Sequence, residues 1–149
     1  MERKQSELTV ITKDLCSYIM TVTQKSPKQF RFTFVTRLQN LALSAIENLF
    51  SANDVFVSKS NIHSQKERLS YQRRAMTDLK ALGYIALLSM EQGCILPKQY
   101  EQISRQIADC QNLLGVWMNS DRKRLSSDET RSGDPIVWAL LLVVAAVTR

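Results

Sequence analysis

Few residues in this chain are of the types that do chemistry, and their spacing argues against it. His63 is the single histidine. Lacking a second imidazole for a metal pair, and standing at a helix start, it reads as a solvated or capping side chain. Cys16, Cys94 and Cys110 stand at no metal-ligand spacing. Cys16 and Cys110 fall on or beside apolar stripes, where a thiol behaves as a small hydrophobe. A thiol nucleophile needs an imidazole beside it, and His63 is far in sequence from every cysteine. A di-iron site in a helical bundle needs inward glutamates with a Glu-x-x-His unit, which is missing here; Glu47, Glu67, Glu91 and Glu101 read as solvated helix charges. There is no Walker phosphate loop, no Gly-x-Gly-x-x-Gly run and no nucleophile elbow. The expectation is a protein that is not an enzyme, has no catalytic residue, metal or cofactor, and acts by binding or scaffolding.

The basic residues carry the stronger signal. Lys and Arg number 20 against 14 Asp and Glu, for a net charge of +6, and the pI is about 9.4. Such a balance favours a polyanionic partner, either nucleic acid or an anionic surface, although a modest excess also serves solubility.

These side chains must be positioned by helices. The chain has 149 residues, 44% apolar and 23% charged, with only four glycines and three prolines. That is one ordinary globular domain with a sizeable core, and the glycine and proline counts are low for a loop-rich or all-β fold. From Leu8 to Gln24 the apolar positions Leu8, Ile11, Leu15, Tyr18, Ile19 and Val22 predict an amphipathic helix that Ser26-Pro27 ends. A second helix is predicted from about Phe30 to Phe56, with an apolar face wider than packing inside one bundle needs. A third begins after the polar link at Ser58, Ser60 and Asn61 and runs to about Gln92. Its seam is read from Leu69, Met76, Gly83 and Met90, with Gln72, Leu79 and Ala86 in the alternate slots. Gly93 is placed to terminate it and Pro97 to open a fourth helix. There, Tyr100, Ile103, Ile107, Cys110, Leu114 and Trp117 recur at spacings of 3, 4, 3, 4 and 3. Helices joined by such short links fold back on one another, which predicts an all-α, antiparallel up-down-up-down four-helix bundle.

Two regions are expected: a bundle over residues 1–120, and a segment over 121–149. The second holds the basic cluster Arg122, Lys123 and Arg124, a polar linker from Leu125 to Pro135 and an apolar tail from Ile136 to Val147. Twelve residues of helix reach about 18 Å against roughly 30 Å of bilayer core, so a membrane span is not expected. The start, Met-Glu-Arg-Lys-Gln-Ser-Glu, has no apolar signal region. With the unpaired cysteines, it leads us to expect a cytoplasmic setting.

On an up-down-up-down bundle, one end collects Arg3, Lys4, Lys59, Lys66, Arg68, Arg122, Lys123 and Arg124, diluted by Glu2, Glu7, Asp54, Glu67 and Asp121. Arg73, Arg74 and Lys80 continue along the third helix. The other end has Lys25, Lys28, Arg31, Arg37 and Lys98. Most of these charges, taken singly, read as solvated helix faces. Together, Arg68, Arg73, Arg74, Arg122, Lys123 and Arg124 are the candidate nucleic-acid contacts. Phe30, Phe32 and Tyr71 stand near basic residues and have the chemistry to stack on bases, although aromatics at such positions more often pack.

Two segments also resemble a known family. Ser26-Pro27-Lys28-Gln29-Phe30-Arg31-Phe32-Thr33, with Arg37-Leu38 and Leu41-Ala42-Leu43, is similar to the helix 1 to 2 junction of the accessory variability determinants encoded with diversity-generating retroelements. Similar as well are Arg68-Leu69-Ser70-Tyr71-Gln72, the Pro97-Lys98-Gln99-Tyr100 opening and Leu114-Gly115-Val116-Trp117. The resemblance covers about residues 8–120 and leaves out the apolar tail. The wider superfamily includes bundle proteins encoded in intervening sequences of bacterial 23S ribosomal RNA genes. The resemblance implies a basic homopentamer that binds a reverse transcriptase and nucleic acid, either template RNA or complementary DNA, and supports mutagenic retrohoming. Two alternatives stand beside it: a ribosomal-RNA-associated bundle of the intervening-sequence branch, and a structural protein–protein adaptor with incidental charge. A neighbouring reverse-transcriptase gene separates the first reading from the second.

Overall fold

The computed structural model describes residues 2–58, 60–131 and 146. The apolar tail Ile136 to Val147, apart from Ala146, and Lys59 lie outside the described residues. By its contacts the chain divides into two units, Met1–Met118 and Asn119–Arg149. The described residues are all-helical, with four α-helices and no strand: α1 (Glu2–Thr23), α2 (Thr36–Asp54), α3 (Ile62–Glu91) and α4 (Pro97–Arg131). No described helix is long and apolar enough to cross a membrane.

The helix ends follow from local chemistry. After α1, the backbone N–H of Ser26 donates to the Thr23 carbonyl, and Pro27 stops the helix. Asn61 caps α3 by accepting from the His63 N–H at 3.0 Å. At the other end of α3, Gly93 takes φ +81°, a left-handed conformation that a β-carbon disfavours, and the Ser89 carbonyl accepts from the Cys94 N–H at 2.8 Å. Pro97 is the first residue of α4. Just ahead of it, the Leu96 N–H donates to Gln99 Oε1 at 2.8 Å, which is half of a capping box.

The region from Phe30 to Val35 departs from the single α-helix that the sequence predicts. Lys28–Phe30 forms a 3-10 turn and Arg31–Val35 a π turn, so α2 proper begins at Thr36. The wider turn sets the ring of Phe34 against Phe30, with centroids 5.8 Å apart, and both are half-buried against the core.

In the first unit the helices share one core. α1 contributes Leu8, Leu15 and Ile19, and α2 contributes Leu38, Ala42, Ala45 and Leu49. α3 adds Ala75, Leu79, Leu82 and Ala86, and α4 adds Ile103, Ile107, Cys110, Leu114 and Trp117. Each fully buried leucine or isoleucine stabilises the fold by about 1.5–3 kcal/mol relative to exposure. Polar contacts join three of the neighbouring helix pairs. Gln39 Nε2 donates to Thr23 Oγ1 at 3.0 Å between α2 and α1. Ser44 Oγ and Asn48 Nδ2 both donate to Asp78 Oδ2 between α2 and α3, at 2.7 and 2.9 Å. Thr12 Oγ1 lies 3.5 Å from Cys110 Sγ between α1 and α4. α3 and α4 meet along a groove of about 270 Å³ floored by Leu79, Gly83 and Ile107. These contacts fit a four-helix bundle.

The α4 stripe is buried as its spacing predicts, with Tyr100 half-buried at its start. The α3 seam is displaced from the Leu69, Met76, Gly83, Met90 heptad, whose members are only half-buried. From Gln72 onward its buried line is Gln72, Ala75, Leu79, Leu82, Ala86 and Ser89, which keeps the alternate slots and adds Ala75, Leu82 and Ser89 to them. In the second unit α4 continues through Arg131, so residues 125–131, predicted as the start of a polar linker, are helical.

Candidate nucleic-acid interface

The six candidate cations divide between the two units. Arg68, Arg73 and Arg74 lie on α3 in the first, and Arg122, Lys123 and Arg124 lie on the last turns of α4 in the second.

Around α3 the three arginines do not form one patch. At 3.6 residues per turn, Arg73 lies about 140° and Arg74 about 240° around the helix from Arg68. Arg68 stands four residues before Gln72 on the buried seam. Its Nε donates to the Ala52 carbonyl at 3.2 Å and an Nη to the Val55 carbonyl at 2.7 Å. Its Cζ sits 5.8 Å from the centroid of the Trp117 ring. Arg68 therefore holds the C-terminal end of α2, where backbone carbonyls lack helical partners, and its guanidinium is occupied by the fold.

Arg73 is exposed and its side chain reaches solvent. Lys66, Arg73 and Lys80 recur every seven residues and are all exposed, so they run as one line along the outer face of α3, drifting only about 20° per step. Lys66 and Lys80 stand outside the six candidates, and this seven-residue recurrence is the signal that finds them. Arg74 is exposed on another face, with Cζ 5.4 Å from the Tyr71 centroid. That cation–π contact orients the guanidinium while leaving it in water.

On the end of α4, an Nη of Arg122 donates to Asn119 Oδ1 at 3.1 Å, and an Nη of Arg124 pairs with Asp121. Lys123 is exposed. The Asp121 pair offsets part of the positive charge of Arg124, and Arg122 and Lys123 are the more available cations of this cluster.

The groups with nucleophilic or metal-binding chemistry are placed elsewhere. All three cysteines are free and buried. Burial pushes the Cys16 thiol up to about 11 from an ordinary 9.0, with Cys110 nearby adding to the shift. Cys94 and Cys110 are raised as well, again chiefly by burial. Thiols held protonated in this way are poor nucleophiles and poor metal ligands at neutral pH. His63 is exposed on the first turn of α3. Among the described residues no three His, Cys, Asp or Glu side chains converge to hold a metal ion. What the surface offers chemically is charge, as exposed guanidinium and ammonium groups. Comparison of the chain with protein-family models and with curated proteins gives no match.

Proposed function

We propose that this chain is a non-catalytic accessory subunit that binds nucleic acid through its cationic helix faces and delivers it to a polymerase. The observation that carries the reading is the exposed line Lys66, Arg73 and Lys80 on the outer face of α3. A row of exposed cations about 10 Å apart offers several contacts to a polyanion, and binding to it draws on counterion release.

With the resemblance to accessory variability determinants, the partner is a reverse transcriptase, the polyanion is template RNA or its complementary DNA, and the setting is the cytoplasm. The role is physical: it raises the local concentration of a flexible polymer at an active site that belongs to another protein. The arrangement in this reading is an antiparallel up-down-up-down bundle. It is supported by the pairing of Ser44 with Asp78 and of Ala52 with Arg68, in which position rises along α2 as it falls along α3. A homo-oligomer, a pentamer on the resemblance, is supported by Leu43 and Phe50, which stand seven residues apart on α2 and are 40% and 50% exposed.

The test is co-expression with a reverse transcriptase and measurement of the particle's mass and RNA content. The triple reversal Arg73→Glu, Arg122→Glu and Lys123→Glu is expected to abolish RNA retention while leaving the helical content intact. RNA binding unchanged at low salt would overturn the assignment.

A further inference from the structure

We infer that the α1 to α2 junction is a stacking site for an unpaired base of single-stranded nucleic acid, with the Phe32 ring as platform and Lys28 and Arg31 as phosphate contacts. The inference rests on the nucleic-acid-binding reading above and adds a site outside the six candidate cations.

Phe32 is 87% exposed, although it sits in an ordered turn. The same turn buries its neighbours in part: Phe30 and Phe34 pack on the core with their rings 5.8 Å apart and tilted by 52°. They anchor the segment from both sides, and Phe32 is left presented to solvent. The turn is π-helical, a geometry that recurs at functional sites because it redirects side chains out of the helical register. An apolar ring held in water contributes little to the fold, and its face is free for stacking.

Within the junction segment itself the charges have one sign. From Leu15 to Ile46 the chain carries no Asp or Glu, and Lys25, Lys28, Arg31 and Arg37 are all exposed. Ser26 Oγ donates to the Cys94 carbonyl at 2.8 Å, which ties this junction to the loop leading into α4 and its exposed Lys98. Glu91 and Glu101 are the acids that flank that loop.

The surroundings decide the class of partner. Pro27, Lys28, Gln29, Arg31 and Thr33 flank Phe32 in sequence and are exposed. Leu96, 64% exposed, stands on the loop that Ser26 ties to this junction. One phenyl and one leucine among polar and cationic groups fall short of the contiguous apolar area a protein partner would bury, and the ring with its neighbouring cations complements a polymer that offers both anionic phosphates and flat bases. In a duplex the base faces are already stacked on each other. Only an unpaired strand can offer one to Phe32.

The test uses the full-length protein, a fluorescent oligouridine and an RNA duplex of equal length. Phe32→Ala is expected to weaken single-strand binding about 5- to 150-fold, the range for losing one base–aromatic stack, and to leave duplex binding unchanged. Phe32→Trp restores it. Lys28→Gln with Arg31→Gln lowers the slope of log affinity against log salt by about 1.4, or about 0.7 for each phosphate left without its cation. Circular dichroism should be unaltered, because the ring is exposed. If wild-type protein binds oligouridine and Phe32→Ala binds it equally well, the stacking site is overturned and the wider function stands. If Phe32→Ala changes the particle's mass and not its RNA affinity, the ring is a protein contact and the inference is again overturned. If the wild-type protein binds neither probe, both this site and the proposed function fall.

Discussion

The guanidinium of Arg68 is held between the open end of α2 and the indole of Trp117: it donates to the carbonyls of Ala52 and Val55 while its Cζ lies 5.8 Å from the ring centroid. Three helices meet in this one side chain. A cation at a helix C-terminus satisfies orphan carbonyls and opposes the negative end of the helix dipole. The planar fork that reaches two carbonyls also lies against an aromatic ring, a combination that lysine cannot reproduce.

Replacing Arg68 should therefore act on stability before it acts on binding. Arg68→Ala is expected to lower the unfolding free energy by about 2 kcal/mol, the scale of lost charge-assisted hydrogen bonds. Arg68→Lys should recover only part of that. Arg73→Ala, on the exposed face, should stay within about 0.5 kcal/mol of wild type. Urea unfolding with an unchanged slope provides the measurement. An Arg68→Ala midpoint equal to that of Arg73→Ala would contradict the assignment.

The carboxylate of Asp78 accepts from both Ser44 and Asn48 across the α2 to α3 contact. Asp78→Ala leaves two half-buried donors without their acceptor and is expected to cost about 1–3 kcal/mol. In the Ser44→Ala, Asp78→Ala double-mutant cycle, the two losses should fall short of additivity, because they report one shared interaction.

Two glycines should respond in opposite directions. At Gly93, φ is +81°, so Gly93→Ala strains the C-terminal turn of α3 and should cost about 1–2 kcal/mol. At Gly83, in the interior of α3, a β-carbon would meet only Ile107 Cδ1 at 4.0 Å, an ordinary contact. Gly83→Ala should stabilise the protein by about 0.5–1 kcal/mol through helix propensity. Thermal unfolding of the two variants, compared in sign, checks both.

The buried thiols predict a pH dependence on the alkaline side. Cys16 is pushed up to about 11 from 9.0, so the folded chain holds this proton to higher pH than the unfolded chain. The stability that comes from keeping it neutral is complete below about pH 9 and is lost as pH rises toward 11. Unfolding free energy measured between pH 7 and 11 should fall less steeply in Cys16→Ala than in wild type. Native protein should also react slowly with a thiol reagent at pH 8 and release all three thiols in denaturant.

Much of this fold is legible in the sequence where hydropathy and backbone chemistry agree. The α4 stripe is apolar at every buried step, and Gly93 and Pro97 are residues whose backbone limits announce a helix end and a helix start. α3 is harder to read because its buried line includes Gln72 and Ser89, while half-buried Leu69, Met76 and Met90 look more hydrophobic. Pattern alone ranks the wrong stripe first. The π turn at Arg31–Val35 is invisible to periodicity, since a single wide turn leaves no repeat. Among the candidate cations, Arg73, Arg74 and Lys123 lie on the surface as their charge implies. The role of Arg68 is hidden because its hydrogen-bond acceptors are backbone carbonyls, which no residue type marks.

The proposed grip of exposed cations on a phosphate backbone has a signature in salt. The most direct measurement is the affinity of the full-length protein for single-stranded RNA across a salt series, made for wild type and for Lys66→Gln, Arg73→Gln, Lys80→Gln. Log affinity is expected to fall linearly with log salt in wild type, and the triple variant to show a slope lower by about 2, or about 0.7 for each cation removed. An affinity indifferent to salt, or a slope unchanged in the triple variant, would contradict it.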